Sequence, residues 1–458
     1  MIQFPGRVAL IKKVYDSGNG SLFENWDSMS EQERGKLIDD ISDVDFNLIK
    51  KLFATKESAA DDNFKPAPFI PLPSSDTARK ERKAAEEAGS GHISAGRTAA
   101  FIVAGGQGSR LGYEGPKGKF PVGPVSDSTL FQIHGEKILK YSRKYGVSIP
   151  WLVMTSRGNH EETAAYFKEQ RWFGLDEKDV MIFPQSMIPS LDMEGRLILQ
   201  DKTGLFKNPD GHGGSLTALA SSGALKMLAE RGIETISYFQ VDNPLVKIID
   251  PVFIGYHVLK GADVSSKALQ KAYAGEKIGV FVQFSSGRIG VVEYSDLPEN
   301  KASIQNSDGR LMFSAGSIAI HLFSRKFIES ITSGSGAELP FHLAKKKIKA
   351  YKSAEIKEIE GIKYEKFVFD ALPLTEKNIV FETRREEEFA PVKNPSGVDS
   401  VDSARELMIN LHRGWLKQKG VTIPSGVKKI EISPLMAVAP DDLPDNILLS
   451  DAENIYLK

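Results

Sequence analysis

The chain contains no cysteine in 458 residues, which excludes disulfides, thiolate metal sites and a cysteine nucleophile. It also lacks a charge excess of either sign: 59 Lys and Arg stand against 60 Asp and Glu, a formal net charge of −1. A general nucleic-acid or membrane-surface binder needs a broad basic face, and this balance argues against one. No stretch approaches the roughly 20 consecutive apolar residues of a membrane span. The opening MIQFPGRVALIKKVYDSGNG has no uninterrupted apolar core of the kind a signal peptide carries, so cytoplasmic residence is the expectation. Also missing are the GxSxG elbow, the HExxH metal motif and a Walker GxxxxGK[ST] loop. The remaining composition, 41% apolar and 26% charged, is that of an ordinary folded protein. Its length suits two or three domains.

One segment stands out from this even background. Residues 101–123, FIVAGGQGSRLGYEGPKGKFPVG, run from a buried-strand pattern into a glycine-rich loop. From Gly105 to Gly123 the loop carries Arg110, Lys117 and Lys119 against the single anion Glu114. Bare backbone N–H groups and local positive charge suit a phosphate-bearing small ligand. A surface glycine turn without a ligand is the bland alternative. A dinucleotide fingerprint fails, because the third glycine position after Gly106 and Gly108 holds Leu111, and prolines at 116, 121 and 124 oppose an immediate long helix.

Along the chain, Trp26, Leu37, Ile38, Ile41, Phe46, Leu48, Ile49, Leu52 and Phe53 recur at spacings that make apolar helical stripes over residues 1–60. The proline-rich stretch 61–78 reads as an irregular connector, and 79–92 as a short charged helix ending at Gly89 or Gly91. From Thr98 strands alternate with helices: strands at 99–104, 150–155, 179–184 and 234–241, helices near 129–144, 160–169 and 215–230. That alternation predicts an α/β fold with a doubly wound, mostly parallel, Rossmann-like sheet, whose ligands sit at the carboxyl ends of strands. Strand-rich patterns follow at 278–284, 287–294 and 311–321, then a helix at 401–418 and a β-like segment at 428–438. The expected division is a helical N-terminal segment 1–97, a catalytic α/β domain 98–398 and a small C-terminal domain 399–458.

Five separated segments together carry a resemblance: AGGQGSRLGYEGPKGKF (104–120), FPQSMIPSL (183–191), NPDGHGG (208–214), QVDNPL (240–245), and EKFVFDAL with EEFAPVKN (365–372 and 387–394). In this order they resemble the eukaryotic-type UDP-N-acetylhexosamine pyrophosphorylases of the broader UDP-sugar pyrophosphorylase group. The resemblance implies a nucleotidyltransferase that joins UTP to a sugar 1-phosphate, giving UDP-sugar and pyrophosphate, with no nucleic-acid or membrane partner. N-acetylglucosamine 1-phosphate is the implied acceptor.

It also implies site residues. Arg110 and Lys117 would clamp the triphosphate, one as a bidentate fork and the other as a point charge, with Lys393 arriving as a further cation on the sugar phosphate or α-phosphate. Gly105 and Gly106 would offer backbone N–H groups to the nucleotide. Gln185 would read the uracil edge with an amide that both donates and accepts, and Gly213 would let backbone approach the ring or ribose. Asp242, after a strand and before Asn243-Pro244, would hold Mg²⁺, which needs only one or two carboxylates when phosphates and waters complete its shell; an Asx-turn is the alternative. On the sugar side the resemblance points to Gly279, Glu293, Phe367 and Phe369, although 367–369 also fits core alternation of a strand.

Such chemistry explains the missing motifs. The attacking phosphate oxygen is already ionised at neutral pH, so no general base or protein nucleophile is required. The obstacle is repulsion, about 4 kcal/mol for two unit charges at 4 Å and an effective dielectric near 20, which fixed cations and a metal offset. Two positions depart from the family: His212 and Ser317 stand where its animal members carry sugar-facing asparagines. They leave open a UDP-glucose or broad-specificity pyrophosphorylase, and a UDP-sugar sensor is the non-enzyme alternative.

Overall fold

A computed structural model describes residues 1–54, 63–334 and 339–458. The expected helical reading of 55–60 and the first two residues of the connector lie outside the described residues. The chain divides into two compact units. One gathers Met1–Ala60, Ser186–Gly214 and Leu339–Val368; the other gathers Asp61–Gln185, Ser215–Glu338 and Phe369–Lys458. These units do not follow the linear three-part division expected from the sequence, because the first is assembled from three distant segments.

Among the described residues the main sheet of the larger unit has ten strands, numbered in chain order: β1 Phe64–Pro66, β2 Thr98–Val103, β3 Trp151–Thr155, β4 Val180–Pro184, β5 Thr235–Gln240, β6 Val264–Gln270, β7 Val280–Phe284, β8 Ile289–Val292, β9 Ala315–Ser324 and β10 Asn378–Glu382. The order is β1-β7-β9-β5-β2-β3-β4, with β8 beside β7 and β6 between β9 and β10. Strands β5, β2, β3 and β4 are mutually parallel, as the strand–helix alternation predicts. β9 runs antiparallel to β5, β6 and β7, so the sheet as a whole is mixed. Strand β2 is buried from Thr98 to Ile102, which is why it reads as an unbroken apolar run.

Helices Leu130–Tyr145 and His160–Glu169 fall where periodicity predicts them. Three expectations need correction. The helix expected at 79–92 runs from Asp76 to Ser94, straight through Gly89 and Gly91. Gly89 on this helix and Gly255 on helix Pro251–Leu259 are where the two helices touch: a Cβ would come within 1.8 Å of Pro251 O at Gly89 and within 1.6 Å of Ala85 O at Gly255. There glycine serves close approach, not termination. The helix expected at 215–230 is two helices, Gly214–Ser221 and Ala224–Glu230, broken where Gly223 adopts φ +81°. The connector is less irregular than expected, since Phe64–Pro66 pairs with β7 as an edge strand. The C-terminal part supplies helix Val401–Gln418 and strand Lys429–Ile432, which pairs in parallel with Asn454–Leu457.

The smaller unit has its own core, in which Leu37, Ile38 and Ile41 of helix Glu31–Ser42 pack with Leu191, Leu199 and Ile362. That helix starts at a reciprocal cap: the Glu33 N–H donates to Ser30 Oγ at 3.2 Å and the Ser30 N–H to Glu33 Oε2 at 2.7 Å. A hairpin of His342–Lys352 and Glu355–Glu365 lies beside Leu191–Asp192. Among the described residues no helix is long and apolar enough to cross a membrane.

Candidate active site

The glycine loop leaves the carboxyl end of β2 as a folded-back excursion. The Lys117 N–H donates to Gly106 O at 3.1 Å and the Gly108 N–H to Gly115 O at 2.9 Å. At its base sits Asn159, almost wholly buried, whose Nδ2 donates to Ala104 O at 3.0 Å and Gly106 O at 3.3 Å. Its Oδ1 accepts the Ser156 N–H at 2.8 Å. A trans peptide opposes its N–H to its C=O, so fixing the Ala104 carbonyl toward Asn159 turns the Gly105 N–H the other way. Neither the Gly105 nor the Gly106 amide donates to a protein acceptor among the described residues. Arg110 is exposed on the turn Ser109–Leu111, with no protein partner among the described residues. Lys119 differs: its ammonium donates to Glu162 at 2.6 Å, a bond that holds its pKa above the usual lysine value.

Lys117 and Asp242 come together although 125 residues separate them. Lys117 Nζ lies 2.9 Å from Asp242 Oδ2, with both side chains largely buried. Oδ1 of Asp242 accepts no hydrogen bond among the described residues. No group of three His, Asp or Glu side chains that could hold a metal occurs among the described residues. A lone carboxylate with one unshared oxygen fits a hard divalent ion only if phosphates and waters supply the other ligands, as Mg²⁺ commonly accepts. Lys393 joins this neighbourhood through the backbone: the Val392 N–H donates to Asp242 O at 2.9 Å. Its ammonium is 3.8 Å from Asp399 and partly exposed.

Gln185 follows β4 and is buried, anchored by its N–H to Thr155 O at 2.8 Å. Its Oε1 lies against Gly105, where a Cβ would approach it to 3.0 Å. The loop and the expected base reader are therefore in contact. Gly279, Glu293 and Ser317, widely spaced in sequence, also gather: the Ser317 N–H donates to Gly279 O at 2.8 Å, and a Cβ at Gly279 would lie 2.9 Å from Glu293 Oε1. Strands β7, β8 and β9 bring them together.

The smaller unit holds His212, Gly213 and Phe367. Gly213 donates its N–H to Lys366 O at 2.8 Å, and a Cβ there would meet the Phe367 backbone at 2.6 Å, so the glycine admits the chain's own backbone. His212 Nδ1 accepts the Val368 N–H at 3.1 Å, and its ring lies 5.4 Å from that of Phe367. Burial, with His342 nearby, brings the His212 pKa down to about 4. Its ring is therefore neutral, with the remaining proton on Nε2. The alternative reading of 367–369 as a strand does not hold: Val368–Leu374 is a 3₁₀ segment, with Val368 fully buried and Phe369 partly exposed, and Phe367 just before it is partly exposed too. Phe369 belongs to the larger unit.

Several residues around the large-unit site escaped sequence reasoning. Lys137 donates to Pro244 O at 2.6 Å and Val246 O at 2.9 Å, steadying the turn after Asp242, and burial pushes its pKa down to about 7. Asn159 and Asn243 are the others. Only Asn243, adjoining Asp242, carried any signal in the sequence.

The sequence matches the family model described as UTP–glucose-1-phosphate uridylyltransferase over residues 46–441. It is 35% identical over 460 residues to UDP-N-acetylglucosamine diphosphorylase 2 of Arabidopsis thaliana, covering 95% of this chain and 90% of that protein. To the UDP-N-acetylglucosamine pyrophosphorylase of Saccharomyces cerevisiae it is 32% identical, with 93% and 94% covered. Among solved structures, the uridine diphosphate N-acetylglucosamine pyrophosphorylase from Trypanosoma brucei in complex with inhibitor is similar with a TM-score of 0.84 and 27% identity, over 100% of this chain and 99% of that one.

Proposed function

The chain belongs to the UTP–glucose-1-phosphate uridylyltransferase family, and from that premise we propose that it transfers uridylyl from UTP to N-acetylglucosamine 1-phosphate. The products are UDP-N-acetylglucosamine and pyrophosphate. The observation that carries the reading is the approach of Lys117 to Asp242 beside a loop whose Gly105 and Gly106 amides meet no protein acceptor. That combination suits a polyphosphate whose charge must be offset before a second anion can approach.

In this reading the Gly105 and Gly106 amides and Arg110 receive the triphosphate, and Gln185 pairs with the uracil edge. Lys117 and Lys393 offset negative charge around the α-phosphate, where it redistributes during in-line displacement. The sugar phosphate oxygen attacks, its bond to the α-phosphorus forms as the bond to pyrophosphate breaks, and no protein group takes a proton. Asp242, through its unshared Oδ1, would hold Mg²⁺, which when bound neutralises phosphate charge and helps to align the reacting oxygens. Glu293 and the Ser317 hydroxyl are the sugar-side contacts, with Gly279 leaving room beside the carboxylate and Phe369 offering an apolar flank. Roles for Gly213, His212 and Phe367 rest on the resemblance.

The relatives' names favour the N-acetylated acceptor. Ser317 and His212 favour a second reading, a broader acceptor range, because two amides that would serve an N-acetyl group are missing and His212 Nδ1 is already engaged by backbone. Purified protein with UTP, Mg²⁺ and a panel of sugar 1-phosphates distinguishes them. The proposal expects kcat/KM to be highest for N-acetylglucosamine 1-phosphate. Equal or higher values for glucose 1-phosphate support the broader enzyme, and tight UDP-sugar binding without pyrophosphate release or exchange leaves only a sensor.

A further inference from the structure

Asp242 is followed by a second polar residue that is also buried. The Asn243 Nδ2 donates to Glu388 O at 2.6 Å, and its Oδ1 accepts the Ala390 N–H at 3.0 Å. The same oxygen accepts the Leu245 N–H at 3.3 Å. Two residues beyond Ala390, the Val392 N–H donates to Asp242 O. Contacts at 388, 390 and 392 thus use one edge of the chain at a spacing of two. Slipping that segment by one residue would present its opposite edge, turn these groups away from Asp242 and Asn243 and leave buried polar groups unpaired. The next side chain is Lys393.

The other end of the segment is fixed from the sheet. Lys267 on β6 has a fully buried side chain, and its ammonium donates to Asp250 Oδ2 at 2.7 Å and to Glu388 Oε1 at 2.7 Å. The Thr383 hydroxyl donates to the same Glu388 oxygen at 2.7 Å. Glu388 is therefore gripped by its side chain from β6 and by its carbonyl from Asn243.

We propose that Asn243 is a positioning residue for uridylyl transfer, registering the Asp242 strand end against the segment that carries Lys393. The inference rests on the roles proposed above for Asp242 and Lys393. The Asn243 amide, engaged by Glu388, Ala390 and Leu245, acts without touching a phosphate. It acts by holding a carboxylate and an ammonium, supplied 151 residues apart in the chain, in one fixed relation. A role confined to stability would lower the folded fraction without changing what Lys393 does in the molecules that remain folded.

A kinetic double-mutant cycle separates these outcomes, with kcat and the KM for UTP measured for the parent, Lys393→Ala, Asn243→Ala and the double variant. Lys393→Ala is expected to lower kcat about 100-fold and Asn243→Ala about 30-fold, the latter with KM for UTP changed by less than about 3-fold. The double variant should then fall no more than about 3-fold below the worse single, because an ammonium already out of register has little left to lose. A multiplicative loss of about 3,000-fold overturns the positioning role while leaving Lys393 intact as a functional cation. No effect of Lys393→Ala in the parent overturns the role of Lys393 itself, and the inference with it. Should Asn243→Ala fail to fold, Asn243→Gln keeps an uncharged amide but carries its donor and acceptor one methylene further from the backbone, out of register with Glu388 and Ala390, and the same cycle is read on it.

Discussion

Gly105→Ala adds one methyl group at the point where the phosphate loop touches the expected base reader. The backbone tolerates it, because Gly105 is not among the residues of positive φ. The added Cβ would stand 3.0 Å from Gln185 Oε1 and 3.3 Å from Ser156 N, against about 3.4 Å for ordinary contact. Gln185 Oε1 must therefore retreat by about 0.4 Å (3.4 − 3.0). Its backbone cannot follow, since the Gln185 N–H is held to Thr155 O at 2.8 Å, so the side-chain torsions take up the shift. If a 1 Å misplacement costs about 100-fold, 0.4 Å costs about 6-fold in kcat/KM for UTP. The loss should appear with UTP and hardly at all with CTP, so that discrimination between the two bases narrows. Thermal stability should change little, because the restricted unfolded chain contributes about 0.4–1 kcal/mol in favour of alanine and offsets the tight contact. The assay is kcat/KM for UTP and CTP, repeated in a Gln185→Ala background, where the effect of Gly105→Ala should vanish. An equal loss in that background would refute the idea that the methyl acts through Gln185.

Three other outcomes are expected. Lys267→Met should destabilise the protein by about 3–5 kcal/mol in urea unfolding, because it strands the buried carboxylates of Asp250 and Glu388; a change below about 1 kcal/mol would mean that the triad is solvated. Burial brings His134 and His257 down to about 3 and His412 to about 4, whereas the unfolded chain takes up these protons near pH 6.5. A folded pKa below the unfolded one makes stability rise with pH, so stability should be lost progressively below pH 6.5, by about 2 kcal/mol for each histidine at pH 5. His412→Gln should flatten that slope by about one proton, and an unchanged slope would show that His412 already titrates in the folded state. Finally, Asp242→Asn should lower kcat by about 10³-fold with the fold retained, and full activity at saturating Mg²⁺ would remove its metal assignment.

The parallel strands β2 to β5 were legible because each is a short apolar run bounded by turn residues, and the glycine loop because its composition departs from an otherwise even chain. Gly105, Gln185, Lys117 and Asp242 could be named from the resemblance, and the structure adds which of them touch. Helix ends were less legible. Glycine usually marks a terminus, but Gly89 stays helical because a second helix crosses there at backbone contact. At Gly223 the positive φ breaks a helix that apolar spacing alone had joined. The three-segment unit could not be read from linear pattern, since its core joins Ile38, Leu191 and Ile362 across the whole chain. Asn159 escaped notice because a buried asparagine that satisfies two carbonyls looks, in sequence, like any loop residue.

A crystal structure of the protein with UDP-N-acetylglucosamine and Mg²⁺ tests the central claim most directly. The uracil edge should lie within hydrogen-bond distance of the Gln185 amide, Asp242 Oδ1 on the metal, and phosphate oxygens at the Gly105 and Gly106 amides with Lys393 nearby. A diphosphate lying away from this loop, or a metal held without Asp242, would contradict that claim.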